Sequence, residues 1–171
     1  MPGVSVVAPM TPNEYQAAWD YFMAHTDPMC VSEHRKSFAV DYEMPDIVHS
    51  RADITLFPIS STRLNAIEAQ KTLAAEGITA NIIHLVWLRP FAVDDRIKKA
   101  LASSSSRGLV LDGDFQNGVV KQIAFDIMHA VPNARIDVLA LEERVTGFAP
   151  HFDNVPPTAE KIRTKVKEII A

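Results

Sequence analysis

Cysteine is almost absent from this sequence: Cys30 is the only one in 171 residues. That excludes an intrachain disulfide and a cysteine-based metal cluster, and it fits a reducing compartment. Basic charge is not in excess either, since 17 Lys and Arg against 21 Asp and Glu leave a net charge of -4. Nucleic-acid affinity rests on neutralising phosphates, so a polyanion surface is excluded as the main business of the chain. No run of about 18 apolar residues occurs, and no basic segment precedes an apolar one, so neither a membrane span nor a secretory signal is read. The expectation is a cytoplasmic protein, with 47% hydrophobic and 22% charged residues providing for a sizeable core.

What is present is an alternation of short apolar runs with helical periods. Val4 to Ala8 reads as a buried strand with nothing upstream to pair it. Tyr15, Ala18, Trp19, Phe22 and Met23 then recur at helical spacing up to His25. "MCVS" reads as a short buried strand, and Glu33 to Ser50 as a linker lying on a surface. From Asp53 the pattern becomes regular. Ile54 to Ile59 is a strand, and Ser60 to Glu76 a helix with Ile67, Leu73 and Ala74 inward and Gly77 as its stop. "TANIIHL" is the next strand, Asp94 and Asp95 open a helix through Ala102, and the serine run with Arg107 and Gly108 breaks it. "LVLD" follows as a strand, Gly118 to Ala130 as a helix, "RIDVLAL" as a strand, and Thr158 caps a closing helix with Ile162, Val166 and Ile169 or Ile170 on one face. Strands of this kind bury both sides and predict an α/β domain over residues 51–171, with a mostly parallel sheet covered on both faces. Residues 1–50 read as a strand-helix-strand piece of another domain.

The segments "PGVSVVAPMTPNEYQAAW", "DPMCVSEH", "ADITLFPISSTRLNAIEAQKTLAAEGITANIIHLVWLRPFAVDD", "LVLDGDFQNGVVKQIAFDIM" and "VPPTAEKIRTKVKEII" carry a family resemblance over nearly the whole chain. Their order resembles the end of the beta subunits of thiamine-diphosphate-dependent 2-oxoacid dehydrogenases and, more broadly, the C-terminal part of transketolase-like enzymes. The resemblance implies a transketolase C-terminal-domain-like, three-layer α/β/α fold over residues 51–171, with a five-stranded, mostly parallel sheet. It implies that residues 1–50 are the last strand-helix-strand of a pyrimidine-binding domain plus linker, so that Met1 stands about two thirds of the way through that domain, as in a split subunit or a fragment.

The same resemblance implies that thiamine diphosphate and Mg are bound mainly by segments absent from this chain. Complementary pyrimidine- and diphosphate-binding chains or domains would then be its partners in a homo- or hetero-oligomer, and the chain alone would be inactive. Two other expectations stay open: a split transketolase transferring a two-carbon ketol unit, and a non-catalytic interaction module of the same fold. In either, an exposed edge at Val4 to Ala8 would recruit a partner strand.

Candidate site residues follow from the matched motifs. Glu33 and His34 stand where dehydrogenase beta subunits carry Glu-His or Glu-Pro, and transketolases a Ser-Arg that serves substrate phosphate. His34 is either a proton-transfer group or a surface histidine. Arg35, with Lys36 beside it, is the cation that could replace the transketolase arginine. Arg89, in the "LRP" motif, is either a substrate contact or the end of a strand before proline. "DGDFQNG", from Asp112 to Gly118, carries two carboxylates and no phosphate-loop lysine, so it reads as an interface-shaping turn and not as a nucleotide loop. The chain departs from its relatives at Ser60, where they have glycine, in "TGFAPHFDNVPP", and at His25, where an aspartate serves a potassium site. No such site is expected. His49, His84, His129 and His151 lack zinc spacing and read as surface or packing residues.

Overall fold

The computed structural model describes residues 3–149 and 154–171; His151 and part of the 146–157 loop lie outside the described residues. Four strands form a wholly parallel sheet: β3 (Ile54–Pro58), β4 (Ala80–Ile82), β6 (Arg107–Phe115) and β7 (Arg135–Leu141), in the order β4-β3-β6-β7. The alternation within the strands sends neighbouring side chains to opposite faces. Ile54, Leu56, Leu109 and Leu111 pack beneath α2 (Thr62–Ala75) and α5 (Ala159–Ile170), meeting Ala66, Ala69, Leu73, Ile162 and Val166. Phe57 and Val110 face the other way, against α3 (Asp95–Ser103) and α4 (Val119–Ala130), whose Ile97, Leu101, Ile123 and Ile127 complete a second core. The three-layer α/β/α arrangement is thus as expected.

The helix ends carry the chemistry that fixes them. Asp94 accepts the Ile97 N–H at 3.1 Å and Thr158 accepts that of Lys161 at 3.2 Å, each relieving an orphan donor of the first turn. α2 stops at Gly77, whose φ of +82° lets Gly77 and Ile78 donate back to Ala74 and Leu73, closing the helix and tucking Ile78 against the core. Ala74, expected inward, is exposed, whereas Ala66 and Ala69 are buried. β6 is longer than "LVLD" because Gly108, read as a breaker, is a strand residue. A Cβ there would stand 2.8 Å from both Phe57 Cε2 and Ile136 Cδ1, so the close approach requires glycine.

The expected fifth strand is absent from this sheet among the described residues. Its place at the β4 edge is held by a single antiparallel bridge, Ile47 to Ile82. The 33–50 stretch is therefore more than a surface linker. After a 3-10 turn at Arg35–Ala39 it buries Met44, pairs Ile47 with β4, and supplies Asp46 to the His84 N–H at 2.8 Å.

The N-terminal piece consists of β1 (Ser5–Val7), α1 (Pro12–Ala24) and β2 (Met29–Val31). β1 is not an edge. It pairs in parallel with β2 on one side and antiparallel with β5 (Trp87–Arg89) on the other, so that Arg89 is the end of a strand before Pro90. An unpaired row of peptide groups on β1 would be costly, and β5 satisfies it. β2 is the exposed strand instead, with Cys30 and Val31 at the surface. On α1 only Ala18 is buried, while Trp19, Phe22 and Met23 are 59%, 41% and 65% exposed.

One ion pair ties this piece to the α/β domain. Arg63 of α2, fully buried, donates Nη1 to Glu14 Oε2 of α1 at 2.6 Å, and the same carboxylate accepts the backbone N–H groups of Met10 and Thr11. No helix among the described residues is long and apolar enough to cross a membrane.

Candidate active-site crevice

The order of the parallel sheet sets the position of the site. From β3 the chain turns outward to β4, and from β6 it turns the opposite way to β7, so the connections diverge between β3 and β6. In open α/β sheets ligands bind outside the carboxyl ends of strands at such a switch point. A crevice of about 670 Å3 lies there, lined by Ile59 and Ser60 after β3, Asp112 and Asp114 of β6, Ser32 after β2, and Arg89 of β5. It is therefore built jointly by the α/β domain and the N-terminal piece.

Asp112 is the buried acid of this crevice, 8% exposed, with Oδ1 accepting its neighbour's Gly113 N–H at 2.7 Å. Burial, with a smaller push from Asp114, raises its carboxyl to about 6, against the pull of the Gly113 and Asp114 backbone N–H groups. Near neutrality it therefore can change protonation state. Arg89 is exposed and brings the crevice a cation. Ser60 holds a φ of +50°, in the left-handed region that favours glycine. A serine in this region places backbone strain at the mouth of the site.

Arg89 is the one expected site residue in this lining. Glu33, His34 and Arg35 follow Ser32 directly but lie outside it. Glu33 and Arg35 are exposed. His34 is half-buried, and its Nδ1 accepts the Lys36 N–H at 3.1 Å, so the imidazole caps the 3-10 turn. Tyr15, whose hydroxyl bonds Ser37 Oγ at 2.7 Å, has its pKa raised, mainly by burial and also by Glu33. Asp112, Ser60 and Arg63 were not singled out as site or seam residues. Asp112 could have been found from its place at the end of a buried strand, whereas nothing local marks Arg63 as buried.

Among the described residues no group of three or more His, Cys, Asp or Glu is placed to hold a metal ion. The donors that line the crevice do not make a cradle for a metal-bound diphosphate. His129 is exposed and stacks on Phe125, and His25 stacks on Tyr21. His49 is half-buried and His84 buried.

Comparison with known proteins agrees with this architecture. The beta subunit of an acetoin:2,6-dichlorophenolindophenol oxidoreductase from Cupriavidus necator is 28% identical, over 98% of this chain and 54% of that protein. The beta subunit of the 2-oxoisovalerate dehydrogenase of Bacillus subtilis is 25% identical, over 94% of this chain and 51% of that protein. The chain thus spans about half the length of these curated relatives. Among solved structures, a split-gene transketolase described as an inactive beta4 tetramer superposes with a TM-score of 0.74 at 14% identity, over 99% of this chain and 58% of that one. The family model described as "Transketolase, C-terminal domain" matches residues 45–162, and the chain belongs to that family.

Proposed function

We propose that this chain is the beta-type part of a thiamine-diphosphate-dependent enzyme that cleaves a 2-oxoacid or ketol and passes the acyl or ketol unit to an acceptor such as a lipoyl group. Its duties would be assembly and completion of an active site with a partner chain in the cytoplasm, and alone it would be inactive. The observation that carries this reading is the reach of the likeness. It continues past the 45–162 family match, through the N-terminal β1-α1-β2 piece, in the order of the beta subunits. Residues 1–50 would then be the end of a pyrimidine-binding domain, and residues 51–171 the C-terminal domain.

Thiamine diphosphate supplies carbanion chemistry in such enzymes, and it would be held with Mg by complementary pyrimidine- and diphosphate-binding chains or domains. The residues of this chain would bind and orient. Arg89 would hold an anionic substrate group by charge-assisted bonds. Glu33, His34 and Arg35, at the exit of β2, would border the cleft that the partner closes, with His34 or Glu33 available for proton transfer.

The test is the isolated chain, given thiamine diphosphate and Mg, with acetoin, pyruvate or 2-oxoisovalerate as substrate and 2,6-dichlorophenolindophenol as acceptor. No dye reduction is expected, and turnover should appear when the chain is recombined with the partner that co-purifies from its source. Turnover by the chain alone overturns the partner requirement. A second reading, a split transketolase, is favoured by the fold likeness to the split-gene enzyme. Ketol transfer between sugar phosphates by the recombined complex, without 2-oxoacid oxidation, would select it.

A further inference from the structure

The switch-point crevice holds charges of both signs that do not meet. Its one cation, Arg89, comes from β5 of the N-terminal sheet, and its three carboxylates, Asp112, Asp114 and Asp126, come from β6 and α4 of the α/β domain. Oppositely charged side chains that share a cavity attract and pair when they can reach one another. None of these four makes a salt bridge among the described residues. The space among them, within about 670 Å3, is open to a guest.

Each group keeps bonding capacity for that guest. Arg89 is exposed, and its guanidinium donors have no acceptor among the described residues. Asp126 is half-buried and likewise unpaired, while Asp114 accepts the Phe115 N–H at 2.7 Å with one oxygen and keeps the other open. Asp112 is the buried member. The Gly113 N–H and, secondarily, the Asp114 N–H lie against its carboxyl, and a carboxylate with two such donors still has lone pairs free. Burial and Asp114 both disfavour its charge, and a cation standing among the aspartates would offset both. A lone anion would satisfy Arg89 and leave the carboxylates facing it, whereas a lone cation would meet Arg89 as a like charge. A molecule that carries both signs answers both sides. Leu88 and Phe91, which flank Arg89 in the chain, and Val119 at the start of α4 add an apolar wall.

We propose that the switch-point crevice binds a zwitterionic amino acid, with its carboxylate on Arg89, its ammonium among Asp112, Asp114 and Asp126, and an apolar side chain against Leu88 and Phe91. This goes beyond the substrate reading above, which gives Arg89 an anionic group alone. It is read by binding without turnover, so either can fail without the other. The probe is L-leucine, beside two relatives that each lack one charge: 4-methylpentanoate, without the ammonium, and 3-methylbutylamine, without the carboxylate. Titration calorimetry on the full chain near neutral pH should show saturable binding of leucine, about tenfold or more tighter than either relative, because each lost contact is a charge-assisted hydrogen bond. Arg89→Gln should bring leucine down to the affinity of the amine or below. Asp114→Asn combined with Asp126→Asn should bring it toward that of 4-methylpentanoate. None of these three side chains is fully buried, so the fold should bear the changes. If a variant does not fold, the comparison of the three ligands on the unaltered chain still decides. Leucine binding no tighter than either relative, no saturable binding at all, or an unchanged leucine affinity in either folded variant would overturn the proposal.

Discussion

The two regions of this chain solve the problem of burying a sheet in opposite ways. The β4-β3-β6-β7 sheet is covered on both faces by its own four helices, and its central strands β3 and β6 hold the fully buried residues Ile54, Leu56, Phe57, Leu109, Val110 and Leu111. The β2-β1-β5 sheet has one helix of its own chain segment, an outer strand with exposed Cys30 and Val31, and Trp19, Phe22 and Met23 standing in the open on α1. Stability comes from burying apolar area, so the first region carries the fold while the second depends on what holds it to the first. Exposed aromatic side chains near an unpaired strand edge are also where another chain gains most by docking. The contrast thus places the larger core in the α/β domain and the exposed apolar side chains on the N-terminal piece.

The sharpest way to break this comparison is at the seam. Glu14→Gln leaves the Arg63 guanidinium buried without its counter-charge and should destabilise the chain by about 3 kcal/mol, measured by urea unfolding. The expected signature is early exposure of the half-buried Trp87, in the N-terminal sheet region, by fluorescence. An unchanged midpoint would remove the ion pair from the account of how the regions are joined.

An effect of similar size and opposite sign is expected within the crevice. The folded state raises the Asp112 carboxyl from 3.8 to about 6, so the native chain binds the extra proton and loses stability as pH rises through that window. Asp112→Asn, which keeps the Gly113 contact, should be more stable than the parent above about pH 6, by about 3 kcal/mol on the linkage scale. The two should be alike below pH 3.8. Parallel unfolding curves at all pH values would show that the Asp112 charge is not penalised.

Ser60→Gly relieves a positive φ in a side-chain-bearing residue and should stabilise by about 0.5–1 kcal/mol, readable as a rise in melting temperature. The smallest effect belongs to the surface of the α/β domain. Arg163 bridges Glu76 and Glu160 in solvent, and exposed pairs contribute little. Arg163→Ala should leave the unfolding midpoint indistinguishable from the parent, and a clear loss would mean that the network acts as a unit.

The sequence made some of these features visible and hid others for physical reasons. β3 and the Leu109–Leu111 centre of β6 announce themselves because strand segments buried on both faces are apolar throughout, and Asp94, Thr158 and Gly77 carry caps that act through their own local backbone. β5 is three residues long, Trp87 to Arg89, too short to display any period, and its partner β1 lies some eighty positions away. Arg63 sits on a helix among polar neighbours, where a charged side chain reads as solvated. Its burial comes from Glu14 and the Met44 carbonyl, both distant in sequence. The helical spacing on α1 is real, yet periodicity reports which residues share a face and not whether anything covers it. Of the residues that line the crevice, Arg89 stands in a motif that the sequence displays. Asp112 becomes a protonatable group only through burial that the fold creates.

The pairing of β1 with β5 has a consequence for how the chain can come apart. The strand that begins the N-terminal piece is gripped by one that the α/β domain sends out after β4, so the boundary near residue 50 is crossed not by the backbone alone but also by the β1-β5 ladder, the Glu14–Arg63 contact, the Ile47–Ile82 bridge and the bond from the His84 N–H to Asp46. A protease nick in the exposed stretch around Val48 to Arg51 would cut only the first of these. The two fragments should then migrate together on a sizing column and separate only in denaturant, as a covalently open but still interlocked pair.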